Sequence, residues 1–157
     1  MPIDKQEFRR VLSHFAAGVT IVTTVGDDGT PYGLTATAFT SVSLDPPLVL
    51  VCVDKQADSH PHFHVSRVFT VNFLRADQQE LSRRFAVSGG DKFTGVRLRA
   101  GTTGAPVLAD VLGHLECRTT DICEGGDHTI FIGQVEAADA REGDPLLYFR
   151  GAYQKIG

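Results

Sequence analysis

Val19-Thr20-Ile21-Val22-Thr23-Thr24-Val25, a turn at Asp28-Gly29 and a second run from Tyr32 to Ala38 decide how this chain is read. β-Branched residues crowd the first run, as a pleated, half-buried surface favours, and Asp-Gly between two such runs signals a hairpin. A hairpin therefore opens a sheet. Upstream, Asp4 and Glu7 make a capping-box-like start. Phe8, Val11, Leu12 and Phe15 then fall at i, i+3, i+4 and i+7, the stripe of a short amphipathic helix that Gly18 can end.

Downstream, Leu48 to Val53 is a continuous apolar run behind Pro46-Pro47 and predicts a buried central strand, with Val68 to Leu74 as another. Ser59 to Val65 has room for a turn or two of helix. Asp77 and Glu80 give a second capping-box-like start, and Leu81 and Phe85 form that helix's inward edge before Gly89-Gly90 breaks it. Val111 to Thr120 and Thr129 to Ala138 alternate around Glu124-Gly125-Gly126-Asp127, and Leu146 to Phe149 follows the turn at Gly143-Asp144. About six or seven strands, mostly hairpin-linked, with two or three short helices predict a mainly β, antiparallel closed barrel rather than a doubly wound parallel sheet.

At 157 residues the chain is read as one domain, residues 1–157. Hydrophobic residues at 42% and charged residues at 22% exclude a disordered chain. A net charge of -4 cannot supply the basic face that a phosphate backbone requires, so no nucleic-acid partner is expected. The longest apolar run falls far short of the roughly 20 residues of a membrane-spanning helix, so no membrane partner is expected either. The segment from Met1 to Glu7 lacks a secretory pattern, which predicts a cytoplasmic protein. Cys52, Cys117 and Cys123 are odd in number and include no Cys-x-x-Cys pair, so neither a disulfide framework nor a zinc knuckle is expected.

Chemistry concentrates in a few segments. Gly33 to Pro47 is dense in small and hydroxyl residues, a composition that lets a flat ligand approach backbone N–H donors and also fits a plain strand followed by a Ser-rich loop. His128 stands at the mouth of the Gly125-Gly126 turn, where an imidazole can hydrogen-bond a ligand or donate a proton near neutral pH. Lys55 follows an apolar strand and could neutralise a phosphate. Phe85, Phe93, Tyr148 and Tyr153 could flank a planar ligand or fill the core. His60, His62 and His64 offer imidazoles, but Pro61 and the absence of ligand-spaced Cys, Asp or Glu favour a surface cluster, and no metal is expected. Neither glycine-loop phosphate cradle is present, and no Ser or Cys is tied to a base by a nucleophile motif.

Taken in order, Phe15 to Thr24, Gly33 to Ser43 with Pro46-Pro47-Leu48-Val49, Val71 to Leu74, Arg84-Phe85-Ala86, Asp91-Lys92-Phe93, Gly126 to Gly133, Pro145 to Phe149 and Gly151-Ala152-Tyr153 resemble the flavin reductase family. These are FMN-binding split-barrel proteins that supply reduced flavin to two-component monooxygenases. The resemblance implies NADH (or NADPH) as donor, FMN or FAD as acceptor, a homodimer, and a partner monooxygenase. It also implies that Thr35, Ala36 and Thr37 border the flavin ring, and that Ser41, Val42 and Ser43 line the ribityl chain and phosphate. By the same resemblance, the turn through Cys52, Val53, Asp54, Lys55 and Ala57 completes the phosphate end, Phe85 packs near the ring, and His128 and Tyr153 belong to the nicotinamide side. Thr37 and Ala57 depart from the family pattern, which often has asparagine and serine there. A non-catalytic flavin carrier is the alternative on the same fold.

Overall fold

The computed structural model describes residues 1–157. After helix α1 (Lys5–Leu12), strands β1 (Ala17–Gly18), β2 (Thr20–Val25), β3 (Pro31–Ala36), β4 (Phe39–Ser43) and β5 (Leu48–Asp54) follow in quick succession. Helix α2 (His60–Ser66) leads into β6 (Val68–Phe73), and α3 (Gln79–Phe85) into the short strands β7 (Leu98–Ala100) and β8 (Pro106–Leu108). The long strands β9 (Gly113–Gly125) and β10 (His128–Ala140) precede β11 (Leu147–Phe149) and β12 (Ala152–Gln154).

Seven strands form the main sheet in the order β3-β2-β6-β9-β10-β5-β4, every neighbour antiparallel. Strands β3 and β4 are its two edges, yet the chain passes from one to the other through Thr37 and Ala38 alone. That crossing spans at most about 11 Å, whereas a flat sheet of this size would be nearly 30 Å wide at about 4.8 Å per strand. The sheet must therefore curl until its edges almost meet. It does not close, because β3 and β4 do not pair. The architecture is a split antiparallel barrel, and the closed barrel expected from the hairpin pattern is corrected on that point.

Alternation along β2 builds two cores. Val22 faces inward to a cluster with Val51, Phe63, Phe69, Cys117 and Phe131, while Val19 and Ile21 face the opposite way to Leu74, Phe85, Leu108 and Leu146. The buried threonines of β2 satisfy their hydroxyls on carbonyls: Thr20 on Ala36 O at 2.6 Å, Thr23 on Pro106 O at 2.6 Å, Thr24 on Val68 O at 2.7 Å. A β-rich run of polar residues can thus be wholly interior.

The hairpin at Asp28-Gly29, the two helices after β5 and the β9–β10 hairpin stand where the sequence places them. Several details differ. β5 is not central but next to an edge, with Val49, Val51 and Val53 buried and the alternate residues half-covered. The Ser-rich segment after Ala38 is a strand, β4, paired with β5. Helix α3 starts at Gln79 without a side-chain cap, since the Asp77 carboxylate turns back to Arg75 at 3.1 Å. In α1, Asp4 caps Gln6 N at 2.8 Å as expected, but Glu7 pairs with Arg10, and no residue of the helix is buried. No helix is long and apolar enough to cross a membrane.

Candidate functional site

The gap between the barrel's edges opens into a cleft of about 460 Å³, within the usual range for small-molecule sites. One wall is the end of β3 and the crossing, Thr35 to Ala38; the other holds Cys52, Asp54, Ala57 and His128; Phe85 and Lys92 close the third side. Edge strands present unpaired backbone groups. At the crossing, Ala38 O accepts from Cys52 N and Thr37 O from Phe39 N, both at 3.0 Å, while the exposed N–H groups of Thr37 and Ala38 donate to no protein acceptor. Two main-chain donors on exposed residues are therefore left without a protein partner.

Of the residues singled out by sequence, the structure brings Thr35, Ala36, Thr37, Cys52, Asp54, Ala57, Phe85 and His128 together on this cleft. Their roles differ from what composition suggests. The Thr35 hydroxyl donates to Ser82 O at 2.6 Å, which anchors β3 to α3 and leaves the backbone, not the hydroxyl, for a ligand. Phe85 is 1% exposed, edge-on to Phe93 at 5.0 Å, so it supports the cleft from beneath. Ala57 closes a turn, its N–H on Asp54 O at 3.0 Å, and the Asp54 carboxylate accepts from Gln56 N at 2.9 Å.

The remaining residues lie elsewhere. Ser41 and Val42 are exposed on β4 and Ser43 ends that strand, none of them on the cleft. Val53 is fully buried in the core because its side chain alternates away from Cys52 and Asp54. Lys55 stands just outside, its ammonium on Glu124 at 2.5 Å. Tyr153 is also off the cleft: its hydroxyl meets Ser82 Oγ at 2.7 Å, and Arg83 sits over its ring at 5.2 Å. His62 stacks on Tyr32, while His60 and His64 meet edge-on with ring centroids 4.8 Å apart and His60 Nε2 lies 2.9 Å from Thr129 Oγ1.

His128 begins β10 and pairs across to Asp54 on one side and Gly125 on the other, so the sheet itself sets its backbone. Its Nδ1 lies 2.8 Å from Asp127 Oδ1. An ionised carboxylate only accepts, so Nδ1–H is the donor and Nε2 is left for the cleft. The same bond holds the Asp127 carboxyl below its ordinary range. Composition and spacing did not single out Lys92. Its ammonium is 3.4 Å from both Gly33 O and Phe85 O, and burial lowers its pKa against the opposing pull of Asp58. Only its place within Asp91-Lys92-Phe93 marked it in the sequence. Burial also pushes the Cys52 thiol up.

A split antiparallel barrel with a cleft where its edges nearly meet, walled by free main-chain donors and one oriented imidazole, defines a small-molecule-binding barrel. Residues 12–157 match the flavin reductase like domain. The reductase component of a 4-nitrophenol 4-monooxygenase/4-nitrocatechol 2-monooxygenase from Rhodococcus opacus is 47% identical over 152 residues, 97% of this chain and 81% of that protein. An FMN reductase (NADH) from Agrobacterium fabrum is 41% identical over 153 residues, covering 98% and 87%. The NADH:FAD oxidoreductase of Streptomyces globisporus, solved in complex with NAD and FAD fragments, superposes with a TM-score of 0.92 at 41% identity, covering 98% and 93%. The chain belongs to the flavin reductase family.

Proposed function

We propose that this chain is the reductase half of a two-component flavin monooxygenase system, with its edge-to-edge cleft as the place where flavin and nicotinamide meet. The reaction is hydride transfer from NADH to FMN or FAD. When bound, the flavin supplies the hydride acceptor. The protein's tasks are to hold two flat rings face to face and keep water out.

The residues present fit that group. The free Thr37 and Ala38 N–H groups are the observation that carries the reading: fixed donors stabilise negative charge developing on a ring edge, as in an oxyanion hole. The small side chains Ala36, Ala38, Ala57 and Ala86 leave room for a ring to reach them. Lys92 offers a partly desolvated cation for a phosphate or the reduced ring. His128, oriented by Asp127, positions the donor nucleotide with Nε2 as an acceptor or, as the imidazolium, delivers a proton from Nε2. Ser41, Val42, Ser43, Lys55 and Tyr153 border the ligand only if its phosphate end runs along β4 and the Asp54 turn, or if a second chain completes the site. Val53 takes part through its backbone alone.

The protein works as a homodimer, supported by the uncovered apolar face of α1. It resides in the cytoplasm, a reading supported by its three unpaired cysteines. Anaerobic titration with FMN or FAD followed by NADH tests the function: rapid bleaching of flavin absorbance is expected, and bound flavin that stays oxidised would make the protein a carrier. His128→Ala is expected to raise KM for NADH or lower kcat with flavin still bound. Unchanged kinetics would remove His128 from the site.

A further inference from the structure

Ser82 is fully buried in α3 and does not line the cleft, yet it bonds both to the cleft wall and to the last strand of the chain. Its carbonyl oxygen accepts from the Thr35 hydroxyl at 2.6 Å, and its own hydroxyl meets that of Tyr153 at 2.7 Å. Helix α3 makes the first bond necessary. The helix has seven residues and no side-chain cap, and at its end Ala86 N donates to Arg83 O at 3.2 Å rather than to Ser82 O. A last-turn carbonyl in a buried place needs a partner from outside the helix, and Thr35 supplies it.

The Tyr153 end of this chain of contacts is held firmly. The Arg83 guanidinium lies 5.2 Å from the ring centroid, Tyr148 meets the ring edge-on at 5.5 Å, and β12 pairs with β11, which pairs in turn with β1. The Thr35 end is where position matters. Strand β3 is an edge, paired with β2 alone, so no ladder holds its outer side. Two hydroxyls hold it instead: Thr20 bonds Ala36 O at 2.6 Å from within the barrel, and Thr35 bonds Ser82 O from without. Thr37 and Ala38, whose N–H groups have no protein acceptor, follow directly. Where α3 holds Thr35 therefore sets where those donors stand.

We propose that Ser82 is a positioning residue for the flavin cleft: held by Tyr153 and bonded to Thr35, it fixes the Thr37 and Ala38 N–H donors against the ring edge without touching the ligand. The proposal rests on the reductase reading above. Donors fixed at a ring edge favour the form that carries negative charge, so displacing them weakens reduced flavin more than oxidised flavin. A general loosening of the fold weakens both alike. The ratio of the two affinities therefore separates positioning from mere structural support.

Dissociation constants of FMN and FAD, oxidised and dithionite-reduced, are measured anaerobically on the full chain for wild type, Thr35→Val, Thr35→Ser, Ser82→Ala, Tyr153→Phe and the double variant of the last two. Thr35→Val is expected to weaken reduced flavin roughly tenfold more than oxidised flavin, the low end for a hydrogen bond to a charged group. That ratio lowers the midpoint potential of the bound flavin by about 30 mV. Thr35→Ser, which keeps the hydroxyl, is expected to keep the wild-type ratio. Ser82→Ala and Tyr153→Phe break the same bond, so each is expected to move the ratio by about threefold and the double variant by no more than either alone. A wild-type ratio in folded Thr35→Val or in folded Ser82→Ala overturns the proposal, as does a double variant in which the two effects multiply. Should Thr35→Val fail to fold, Ser82→Ala and Tyr153→Phe decide by the same criteria. The reductase reading fails separately, if flavin bound to wild type is not bleached by NADH.

Discussion

Asp127 and His128 show how one bond can orient a functional group without stabilising the fold. The Asp127 side chain is almost wholly in solvent and His128 is half-buried, so the pair adds little stability, but it selects the imidazole tautomer that leaves Nε2 free. Asp127→Ala is therefore expected to leave the thermal midpoint unchanged while raising KM for NADH, and Asp127→Asn, which retains an acceptor oxygen, to fall between it and wild type. Equal KM values in all three proteins would show that the ring needs no such orientation. The depressed pKa of Asp127 sets the direction with pH. The bond is intact at and above the ordinary carboxylate range and is lost as pH falls below it, so acid should mimic Asp127→Ala. The cysteines separate by the same logic of environment. Burial pushes Cys117 up to about 12 and raises Cys52 as well, whereas Cys123 is exposed. At pH 8, where the thiolate is the reactive form, one thiol is expected to react promptly with a disulfide reagent, and three after denaturation. Prompt native labelling of Cys117 would contradict the packing of the inner core.

Elements meet where a side chain is missing or fully bonded. Gly133 on β10 faces Phe69 and Cys117, and a Cβ there would lie 2.7 Å from Phe69 Cζ and 3.0 Å from Cys117 Cβ, both residues being fully buried. Gly133→Ala is expected to cost about 1–3 kcal/mol in urea denaturation, as overpacking does. No loss would mean that the β6–β9–β10 contact is looser than the structure has it. Asn72 on β6 works the other way. Its amide donates to Ile21 O at 2.9 Å and accepts from Leu108 N at 3.0 Å, so one buried side chain joins β6, β2 and β8. Asn72→Ala orphans the Leu108 N–H, at about 1–3 kcal/mol for the unmet group alone. The hairpin, β6 and the β9–β10 pair were legible because their periodicity and turns agree. β4 was not, because a Ser-rich run carries no apolar alternation and becomes a strand only by pairing with β5. β5 was misplaced for the opposite reason: a continuous apolar run reads as buried on both faces, although one of its faces is only half-covered. Much of the cleft was legible as small residues ahead of Pro46-Pro47, whereas Lys92 resembles a solvated lysine until the fold folds its ammonium against β3.

At the scale of the whole molecule, α1 is the element that the chain alone does not explain. An eight-residue helix is marginal in water unless an amphipathic face is packed. Yet Phe8, Val11 and Leu12 are each 53% exposed and Phe15 is 80% exposed. Its one aromatic contact with the barrel is at the end of the helix, where His14 meets Phe149 at 6.2 Å. Phe15 also lines an apolar groove of about 420 Å³ with Phe39, Phe73 and Leu146, and Thr37 of the cleft belongs to the same groove. A second copy seated there would bury the helix face and reach the crossing between β3 and β4 at once, coupling assembly to the backbone that walls the cleft. Phe8→Asp combined with Leu12→Asp is expected to turn a dimer into a monomer in light scattering, to lower the helical signal in circular dichroism, and to weaken flavin binding. A wild-type protein that runs as a monomer at micromolar concentration, with α1 helical and flavin bound, would remove the partner from the picture and leave α1 held by its own Asp4 cap and Glu7–Arg10 pair.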